Sequence, residues 1–532
     1  MQKRLYKKVL AAATAKKYYI IFALCLSVKL INMDKSIEMN PNLLVRFLQK
    51  PAAQFTRADI VRYCRENNVE FLNFHYCGWD GKLKTLGFVI NSLEHLENIL
   101  QAGERVDGSS LFPFIEAGKS DLYVIPRYKT AFVNPFAQVP TVDLLCSFFD
   151  RDGNPFESSP QYILHKAHAE FQKVTGLKME TMGELEYYVI ADAEELYQTP
   201  DQKGYHESAP FNKFYDLRIE AMKLIAQCGG LIKYGHSEVG NFTQDGKIYE
   251  QNEIEFLPTD IEDAADQLVI AKWAMRQLAY QYGVTLTFAP KITVGKAGSG
   301  MHVHCKFTKD GQTATVRNGE LTDEAKKAIA GFMAAGTSLP AFGNPHPLSF
   351  MRLVPHQEAP TSLCWSFSNR SALVRVPLGW LKKMDMSAKC NPLEQPDDKD
   401  FSSKQTFEWR ASDGFADMYL LMAALCCAAR HGFEIQNGLE IAEKTFVGLG
   451  VNIHDASNKA LQESLEQLPG CCVEAAKELA KDREIYTSRG VFSDNIVDYF
   501  IKYLNDFHDE SLRSQLSGEK LLKFVEENIN NG

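Results

Sequence analysis

Four segments of the chain each place two polar residues two positions apart around one apolar residue. The pairs are Glu184 and Glu186 in GELEY, Glu253 and Glu255 in NEIEF, His302 and His304 in GMHVH, and Glu408 and Arg410 in FEWR. Successive residues of a β-strand point to opposite faces, so each pair lies on one face. One such pair is typical of a sheet face in contact with water. Because the pattern recurs, we expect these strands to bury one face and to direct the other toward a shared polar cavity.

Carboxylates that converge on one cavity repel one another unless a cation lies among them. Glutamates with one or two histidines suit Mg²⁺ or Mn²⁺, which prefer oxygen ligands and tolerate imidazole. Zinc is more typical of cysteines, or of several histidines at closed spacing, and neither pattern is evident in the sequence. The donor set therefore favours a Mg²⁺ or Mn²⁺ site.

Arginines form the second group of candidate functional residues. Arg352 lies in MRLVPHQEAP, and Arg370 and Arg375 bracket the apolar part of NRSALVRVP. Surface ion pairing is the ordinary explanation for a single arginine. Several arginines beside divalent cations are instead the arrangement that phosphoryl transfer needs, because the guanidinium groups neutralise charge on phosphate oxygens. The residues alone therefore indicate a metal-dependent site for anionic ligands.

The glycine-rich stretch GKAGSG, residues 295–300, is not a phosphate-binding loop of the P-loop type. The chain contains no GxxxxGK[ST] motif, and the stretch leads into a predicted strand rather than a helix. These glycines favour a mobile flap or a close approach of the backbone to a ligand.

The order of predicted elements indicates an α+β protein. Residues 57–146 read as a small module with a helix and a hairpin around a Trp-Asp-Gly turn, and the turn-rich residues 150–160 mark its end. From residue 180 onward, short strands alternate with long helices. The polar residues 384–404 read as a surface loop.

Composition limits the partners and the compartment. The formal charge of −9 argues against nucleic acid as the main partner. The 12 cysteines show no repeated CxxC pattern, which favours reduced, partly buried thiols and a reducing compartment.

The N-terminus carries a basic stretch and then the apolar run 18–28. This run is too short to span a bilayer, and no clean cleavage site follows it, although a signal peptide remains the alternative. We interpret residues 1–32 as a dispensable extension, or as the result of a start site placed before Met33. The rest of the sequence shows no candidate membrane span, so we expect a cytoplasmic protein.

Five motifs carry a family resemblance. They are GSGMHVH, RLVPHQEAP, NRSALVRVP, the ELE strand and DGSS at 107–110. Their order and context are similar to those of bacterial-type glutamine synthetases, from about residue 57 to about residue 505. The resemblance implies a small β-grasp domain at 57–146 and a catalytic domain at 157–505, followed by a C-terminal helical tail at 506–532. The implied catalytic sheet is curved and antiparallel, forms half a barrel and is backed by helices. The implied assembly is a homo-dodecamer of two stacked hexameric rings, with active sites shared between subunits.

The implied reaction consumes ATP: the γ-carboxylate of glutamate is phosphorylated, and ammonia then displaces phosphate. It uses two Mg²⁺ or Mn²⁺ ions in each active site. Matched by position, one metal is held by Glu186, Glu238 and Glu253, and the other by Glu184, His302 and Glu408. The nucleotide contacts are His236, His304, Arg370 and Arg375. The substrate contacts are Gly298, Arg352 and Arg410. The residues implied in catalysis are Asp107, Glu358, Arg370 and Arg410, of which Asp107 binds and deprotonates ammonium from a neighbouring subunit and Glu358 closes over the intermediate.

This sequence departs from the family pattern at three places. Ala297 stands where the family usually has asparagine, on a loop that touches the substrate amino acid. An insertion separates Glu238 from Glu253. TFVGLGVN replaces the segment that carries the adenylylated tyrosine, so we expect no control by adenylylation.

Three functions stay open on the sequence. Glutamine synthesis from glutamate and ammonia is favoured by Asp107 and Glu358. A γ-glutamyl-amide ligase that takes a larger amine is favoured by Ala297, because loss of a polar contact could relax the substrate site. A non-catalytic oligomeric scaffold or regulator is disfavoured, because every metal and phosphate position holds a competent residue.

Overall fold

The computed structural model describes residues 37–115, 117–355, 359–379, 385–397, 399–453, 455–516 and 518–532. The strands are β1 Phe71–Cys77, β2 Leu83–Val89, β3 Glu104–Asp107, β4 Asp121–Pro126, β5 Phe132–Val133, β6 Thr141–Phe149, β7 Lys178–Asp192, β8 Ile232–Gln244, β9 Lys247–Phe256, β10 Thr259–Asp260, β11 Thr285–Thr287, β12 Met301–Lys309, β13 Gln312–Thr313, β14 Val316–Arg317, β15 Glu320–Leu321, β16 Trp365–Phe367, β17 Val374–Val376 and β18 Phe407–Trp409. The helices are α1 Leu43–Leu48, α2 Arg57–Glu66, α3 Leu93–Ala102, α4 Pro160–Thr175, α5 Tyr215–Gln227, α6 Ile261–Tyr282, α7 Asp323–Ala334, α8 Pro340–Gly343, α9 Pro347–Arg352, α10 Met386–Cys390, α11 Met418–Glu434, α12 Gly438–Lys444, α13 Lys459–Ser464, α14 Cys472–Lys481, α15 Arg483–Thr487, α16 Asp494–Asn505, α17 Leu512–Gln515 and α18 Glu519–Asn528. The interpretation of residues 1–32 and the role of Glu358 fall outside the described residues.

The N-terminal sheet has the strand order β2-β1-β6-β4-β3, with β5 against β6. The predicted hairpin is confirmed, since β1 and β2 pair antiparallel. Helix α2 begins at a capping box, in which Thr56 and Asp59 each accept a backbone N–H of the other. Helices α1, α2 and α3 share an apolar core with this sheet, in which Leu72 and Phe74 are fully buried.

The second sheet is larger and holds the polar pairs. Its strand order is β16-β17-β18-β12-β7-β9-β8, with β10 and β11 against β7 and β13 against β12. Among the described strands of this path, the pairs are antiparallel except β16 with β17, which is parallel. The predicted fold class is confirmed: an α+β protein with a β-grasp sheet, followed by a curled half-barrel sheet backed by helices.

Helices α4, α6, α7 and α11 fill the apolar side of the second sheet. Helix α11 is buried almost throughout. A Cβ atom at Gly331 of α7 would overlap the backbone carbonyl of Ala428 in α11, so the two helices touch through their backbones. This layer supports the strands that carry the polar pairs.

The structure shows the conformation of the predicted insertion and of the predicted surface loop. The insertion between Glu238 and Glu253 lengthens the β8–β9 hairpin, whose turn is Asp245-Gly246 with positive φ at both residues. The predicted surface loop at 384–404 contains the short helix α10 in its described part.

Within the described ranges, no single helix has the length and apolar character needed to cross a membrane. Helices α11 and α12 meet that test only when joined, and they are bent by 109°. The cysteines in the same ranges are free thiols, and all except Cys390 are buried.

Candidate functional site

Backbone register aligns the polar residues of β8, β9, β7 and β12 in two rows on one face of the second sheet. The first row is Tyr234, Glu255, Glu184 and His302, and the second is His236, Glu253 and Glu186. Directly opposed residues of an antiparallel pair share a face. Period-two alternation within each strand and register between strands therefore bring together residues that are far apart in the chain.

A third row continues across β12, β18 and β17 through His304, Glu408 and Arg375. The Nε atom of Arg375 lies 2.9 Å from a carboxylate oxygen of Glu408, and Nε2 of His304 lies 3.7 Å from the same oxygen. His304 also lies 2.7 Å from Glu184 and 2.8 Å from the hydroxyl of Thr406. It is buried next to the first row.

Glu184, His302 and Glu408 form the first cluster that could hold a cation. The Nδ1 atom of His302 lies 2.9 Å from Glu184 and 3.4 Å from Glu408, and one ligand atom from each residue lies within 4.8 Å of the others. Burial lowers the pKa of His302 to about 4, so its imidazole is neutral at pH 7 and offers a lone pair. Burial opposes the charge of Glu184, but His304 and His302 hold its pKa well below the usual range.

The second cluster is built around Glu253. One set of donor atoms within 4.8 Å comes from His236, Glu253 and Glu255. The Nε2 atom of His236 lies 3.7 Å from Glu253, and its Nδ1 atom lies 3.7 Å from Glu238. Glu255 already forms an ion pair within the protein, because the ammonium group of Lys233 lies 2.6 Å from its carboxylate.

Glu186 and Glu238 are the other carboxylates beside Glu253. Burial and the charge of Glu238 raise the pKa of Glu186 to about 8. Burial, with Glu184 and the other glutamates around it, raises the pKa of Glu253 well above its usual value. Glu186 is held by Gln251 and by the backbone N–H of Gly300, each at 2.9 Å.

The residues in both clusters fit divalent cations. Their donors are carboxylate oxygens with imidazole nitrogen, the set that Mg²⁺ and Mn²⁺ accept. Burial and neighbouring carboxylates raise the pKa values of Glu186 and Glu253, and a divalent cation would offset this crowding of negative charge.

Four arginines lie at the same cavity. Arg352 donates to the backbone carbonyl of Ala411 at 2.8 Å, and its other Nη atom lies 3.2 Å from Nε2 of His302. Arg410 is fixed by Glu408 at 3.1 Å and donates to the backbone carbonyl of Arg370. The guanidinium groups of Arg352 and Arg410 are thus held rigidly, whereas Arg370 is exposed.

The structure brings most of the predicted site residues to this one cavity. Those that line it are Glu184, Glu186, His236, Glu238, Glu253, Gly298, His302, Arg352, Arg370, Arg375 and Arg410. Glu408 and His304 contact residues that line it, Arg375 and Glu184 respectively. Asp107 lies elsewhere, exposed at the end of β3, where its carboxylate accepts hydrogen bonds from the hydroxyls of Ser109 and Ser110 at 2.6 Å each.

Two family models match the chain. The glutamine synthetase β-grasp domain matches residues 68–151, and the glutamine synthetase catalytic domain matches residues 157–517. The chain belongs to the glutamine synthetase family.

Curated relatives are similar over most of the chain. The 3-hydroxylaminophenol mutase of Cupriavidus pinatubonensis is 29% identical over 481 residues, which cover 84% of this chain and 94% of the relative. The glutamine synthetase of Clostridium saccharobutylicum is 32% identical over 334 residues, covering 61% and 72%.

Solved structures of 19% identity share the fold. The cryo-EM structure of Plasmodium falciparum glutamine synthetase gives a TM-score of 0.70 and covers 88% of this chain and 98% of that one. A GmaS/ADP complex gives 0.68 and covers 88% and 99%.

Sequence reasoning missed several residues that line the cavity of this glutamine synthetase family member. They are Tyr205, His206, Tyr234 and Gln251. Strand alternation had already placed Glu255 on the cavity face beside Glu253, and the same signal could have found Tyr234, two positions before His236. Tyr205 and His206 lie in the irregular segment before α5, and their rings stack at 4.2 Å. No periodic pattern marks such a segment.

Ala297, the departure from the family pattern, also lines the cavity. Its carbonyl accepts the hydroxyl of Tyr188 at 2.8 Å, and its N–H donates to Gln202 at 2.7 Å. The backbone is therefore fixed there, while the methyl side chain offers no hydrogen bond to a ligand.

Proposed function

We propose that this family member is an ATP-dependent ligase that forms glutamine from glutamate and ammonia through γ-glutamyl phosphate. One observation carries the proposal: two carboxylate–imidazole clusters and four arginines face a single cavity. Cations and guanidinium groups on either side of a phosphate are what transfer of a phosphoryl group requires.

In this proposal Glu186, Glu238 and Glu253 hold one Mg²⁺ or Mn²⁺ ion. The other ion is held by Glu184, His302 and Glu408. When bound, the two ions would neutralise phosphate oxygens. The protein orients these ligands before a cation binds, since Gln251 contacts Glu186 and Arg375 contacts Glu408.

The arginines divide between the two substrates. Arg370 and Arg375 are proposed to bind the phosphates of ATP, and Arg352 and Arg410 to hold glutamate and the transferring phosphoryl group. The exposed Arg370 can reach a mobile phosphate, and the fixed guanidinium of Arg352 suits a carboxylate in one orientation. Gly298 is proposed to contact glutamate through its backbone, and it has no room for a side chain, because a Cβ there would lie 2.5 Å from the Pro290 carbonyl.

The remaining roles stay predictions. His236 lines the cavity and is proposed to contact the nucleotide. His304 has the same predicted role, and its contacts support a further one, orientation of Glu184. Asp107 and Glu358 are proposed to handle ammonium and to shield the intermediate from water. Exclusion of water matters here because an acyl phosphate hydrolyses readily.

The test is formation of γ-glutamyl hydroxamate from glutamate, hydroxylamine and ATP with Mg²⁺ or Mn²⁺. The product reports the activated acyl group directly. We expect product that depends on both ATP and the divalent cation. Purified protein that makes no hydroxamate with either cation would contradict the proposal, and protein that binds neither Mn²⁺ nor ATP would favour a non-catalytic role.

A second candidate is a γ-glutamyl-amide ligase that takes a larger amine. The nonpolar side chain of Ala297 at the cavity supports it, and a relative named 3-hydroxylaminophenol mutase indicates that chains of this similarity do not all share one activity. ATP turnover with glutamate and either ammonia or a panel of amines separates the two. A strong preference for a polyamine over ammonia would reverse the ranking.

We further propose a cytoplasmic homo-oligomer, by family resemblance a dodecamer, with active sites shared between subunits. The exposed position of Asp107, apart from the cavity of its own chain, supports shared sites.

A further inference from the structure

The last residues of the chain, 518–532, follow the end of the matched catalytic domain at residue 517. They nevertheless fold against it. Helix α18 buries Leu521 and Val525 in a small apolar cluster, and the chain continues along the protein surface to Gly532. We call residues 518–532 the C-terminal clamp. We propose that the clamp positions the amino-acid half of the active site, an inference that rests on the proposed function.

The clamp first contacts the helix that carries Arg352. His346 caps helix α9, and its Nδ1 atom accepts the N–H of Leu348 at 3.2 Å. The proton of the neutral ring is therefore on Nε2, which donates to the side-chain oxygen of Asn528 at 3.0 Å. Phe524 of the clamp stacks on the same ring at 5.8 Å. Arg352 is the last residue of α9, so the clamp fixes the start of the helix that presents it.

The clamp also contacts the segment that leads to Gly298. The hydroxyl of Thr287 donates to the backbone carbonyl of Ile529 at 2.5 Å. Ile292 packs in the same apolar cluster as Leu521 and Val525. Farther along, the N–H of Ser299 donates to the carbonyl of Pro290 at 3.0 Å. Residues 287–300 are thus fixed at one end by the clamp, and they line the cavity at the other.

The chain end reaches the segment that follows Arg410. Arg276 donates to the backbone carbonyl of Gly532, and a Cβ at this glycine would lie 2.6 Å from the carbonyl oxygen of Gly414. Phe415 belongs to the apolar cluster beneath α18. The same segment supplies the carbonyls of Ala411 and Ser412 that accept from Arg352, at 2.8 and 3.3 Å.

These three contacts share one consequence. Gly298, Arg352 and Arg410 come from separate parts of the chain, and they are the three residues proposed to bind glutamate. Each belongs to a segment that contacts the clamp at another position. A shift of about 1 Å in such groups can cost on the order of 100-fold in rate, so a clamp remote from the chemistry can determine how well the substrate binds.

The test compares Val525→Ala combined with Asn528→Ala against a control on the same helix, Lys523→Ala, whose side chain is 77% exposed. We expect the double variant to raise KM for glutamate about tenfold and to leave KM for ATP within about twofold. The control should match the unmodified enzyme. Unchanged KM values, or an equal rise for both substrates, would overturn the inference, because a merely structural role would not separate the two substrates.

A second measurement keeps the inference independent of the reaction. Hydrogen exchange of residues 287–300 and 346–352 should be faster in the double variant than in the control, with exchange in β1 and β6 unchanged. If the unmodified protein forms no hydroxamate, the proposed function fails on that ground alone. In that case, exchange that is equal in the two variants would overturn the clamp as well, and faster exchange would support it.

Discussion

Glu408 has no exposed surface, and two arginines and two histidines lie close to its carboxylate. Arg375 lies at 2.9 Å, Arg410 at 3.1 Å and His302 at 3.4 Å. Burial and Glu184 oppose the charge of Glu408, but the arginines and His304 hold its pKa below the usual value. The carboxylate is therefore ionised at neutral pH and oriented before any cation arrives.

Glu408→Gln keeps the shape of the side chain and removes its charge. We expect Mn²⁺ to bind on the order of 10- to 100-fold more weakly, because one oxygen ligand loses its negative charge and the two arginines lose their partner. Titration of free Mn²⁺ by electron paramagnetic resonance measures this. The matched control is Glu180→Gln on the same strand as Glu184, where Lys306 lies 3.2 Å away. Equal affinities in both variants would exclude Glu408 from the cation site.

Arg370→Ala tests the phosphate side of the cavity. Removal of an arginine that stabilises the transferring phosphoryl group can cost on the order of 1,000-fold in kcat. We expect kcat to fall by about that factor, with a much smaller rise in KM for glutamate. Steady-state kinetics with varied glutamate and ATP provide both values. Arg317→Ala, an exposed arginine on the β14–β15 hairpin, is the control. An unchanged kcat would show that Arg370 does not act on the phosphate.

At the scale of elements, strand alternation predicted which strands share a polar face, and the family resemblance assigned the roles of the residues on it. Alternation placed the pairs that contain Glu184, Glu253, His302 and Glu408 on one face, and the register then aligned them. The irregular pairing between Ser237 and Asn241 breaks this pattern. A bulge re-aims side chains without a periodic signal, so only the family resemblance identified Glu238.

Gly240 lies in that bulge. Its substitution tests how far the bulge contributes to stability and to cation binding. A Cβ atom there would lie 2.5 Å from a side-chain oxygen of Gln251 and would overlap the hydroxyl of Tyr188. Gly240→Ala should lower the free energy of unfolding by about 1–3 kcal/mol through overpacking. It should also weaken Mn²⁺ binding, because Gln251 orients Glu186. Denaturant unfolding and Mn²⁺ titration check the two effects. Gly118→Ala, with no atom within 4 Å of its added Cβ, should change stability by less than about 0.5 kcal/mol.

At the scale of the whole molecule, the sequence did not predict which distant segments of the chain contact one another. The spacing of His302 and His304 predicted a shared face, but it carried no information that the C-terminal clamp would support Arg352 from behind. Such contacts depend on tertiary packing between segments more than a hundred residues apart, as between His346 and Asn528. Local pattern therefore predicted the elements and the family resemblance assigned the roles, whereas the supporting contacts required the folded chain.

If active sites are shared between subunits, two inactive variants should regain activity when they assemble in one oligomer. Asp107→Ala and Arg370→Ala should each be nearly inactive as pure oligomers, since Asp107 is proposed to serve the neighbouring subunit's site. Random mixed oligomers should regain about a quarter of the unmodified activity, because that fraction of sites combines an intact residue from each of two subunits. Formation of glutamine from glutamate and ammonia by co-expressed, doubly tagged protein measures the recovery. Mixtures of Arg370→Ala with Glu408→Gln should recover nothing, because both residues belong to one chain's cavity and every site there lacks one of them. Equal recovery in the two mixtures, or none in either, would contradict a site completed by a second subunit.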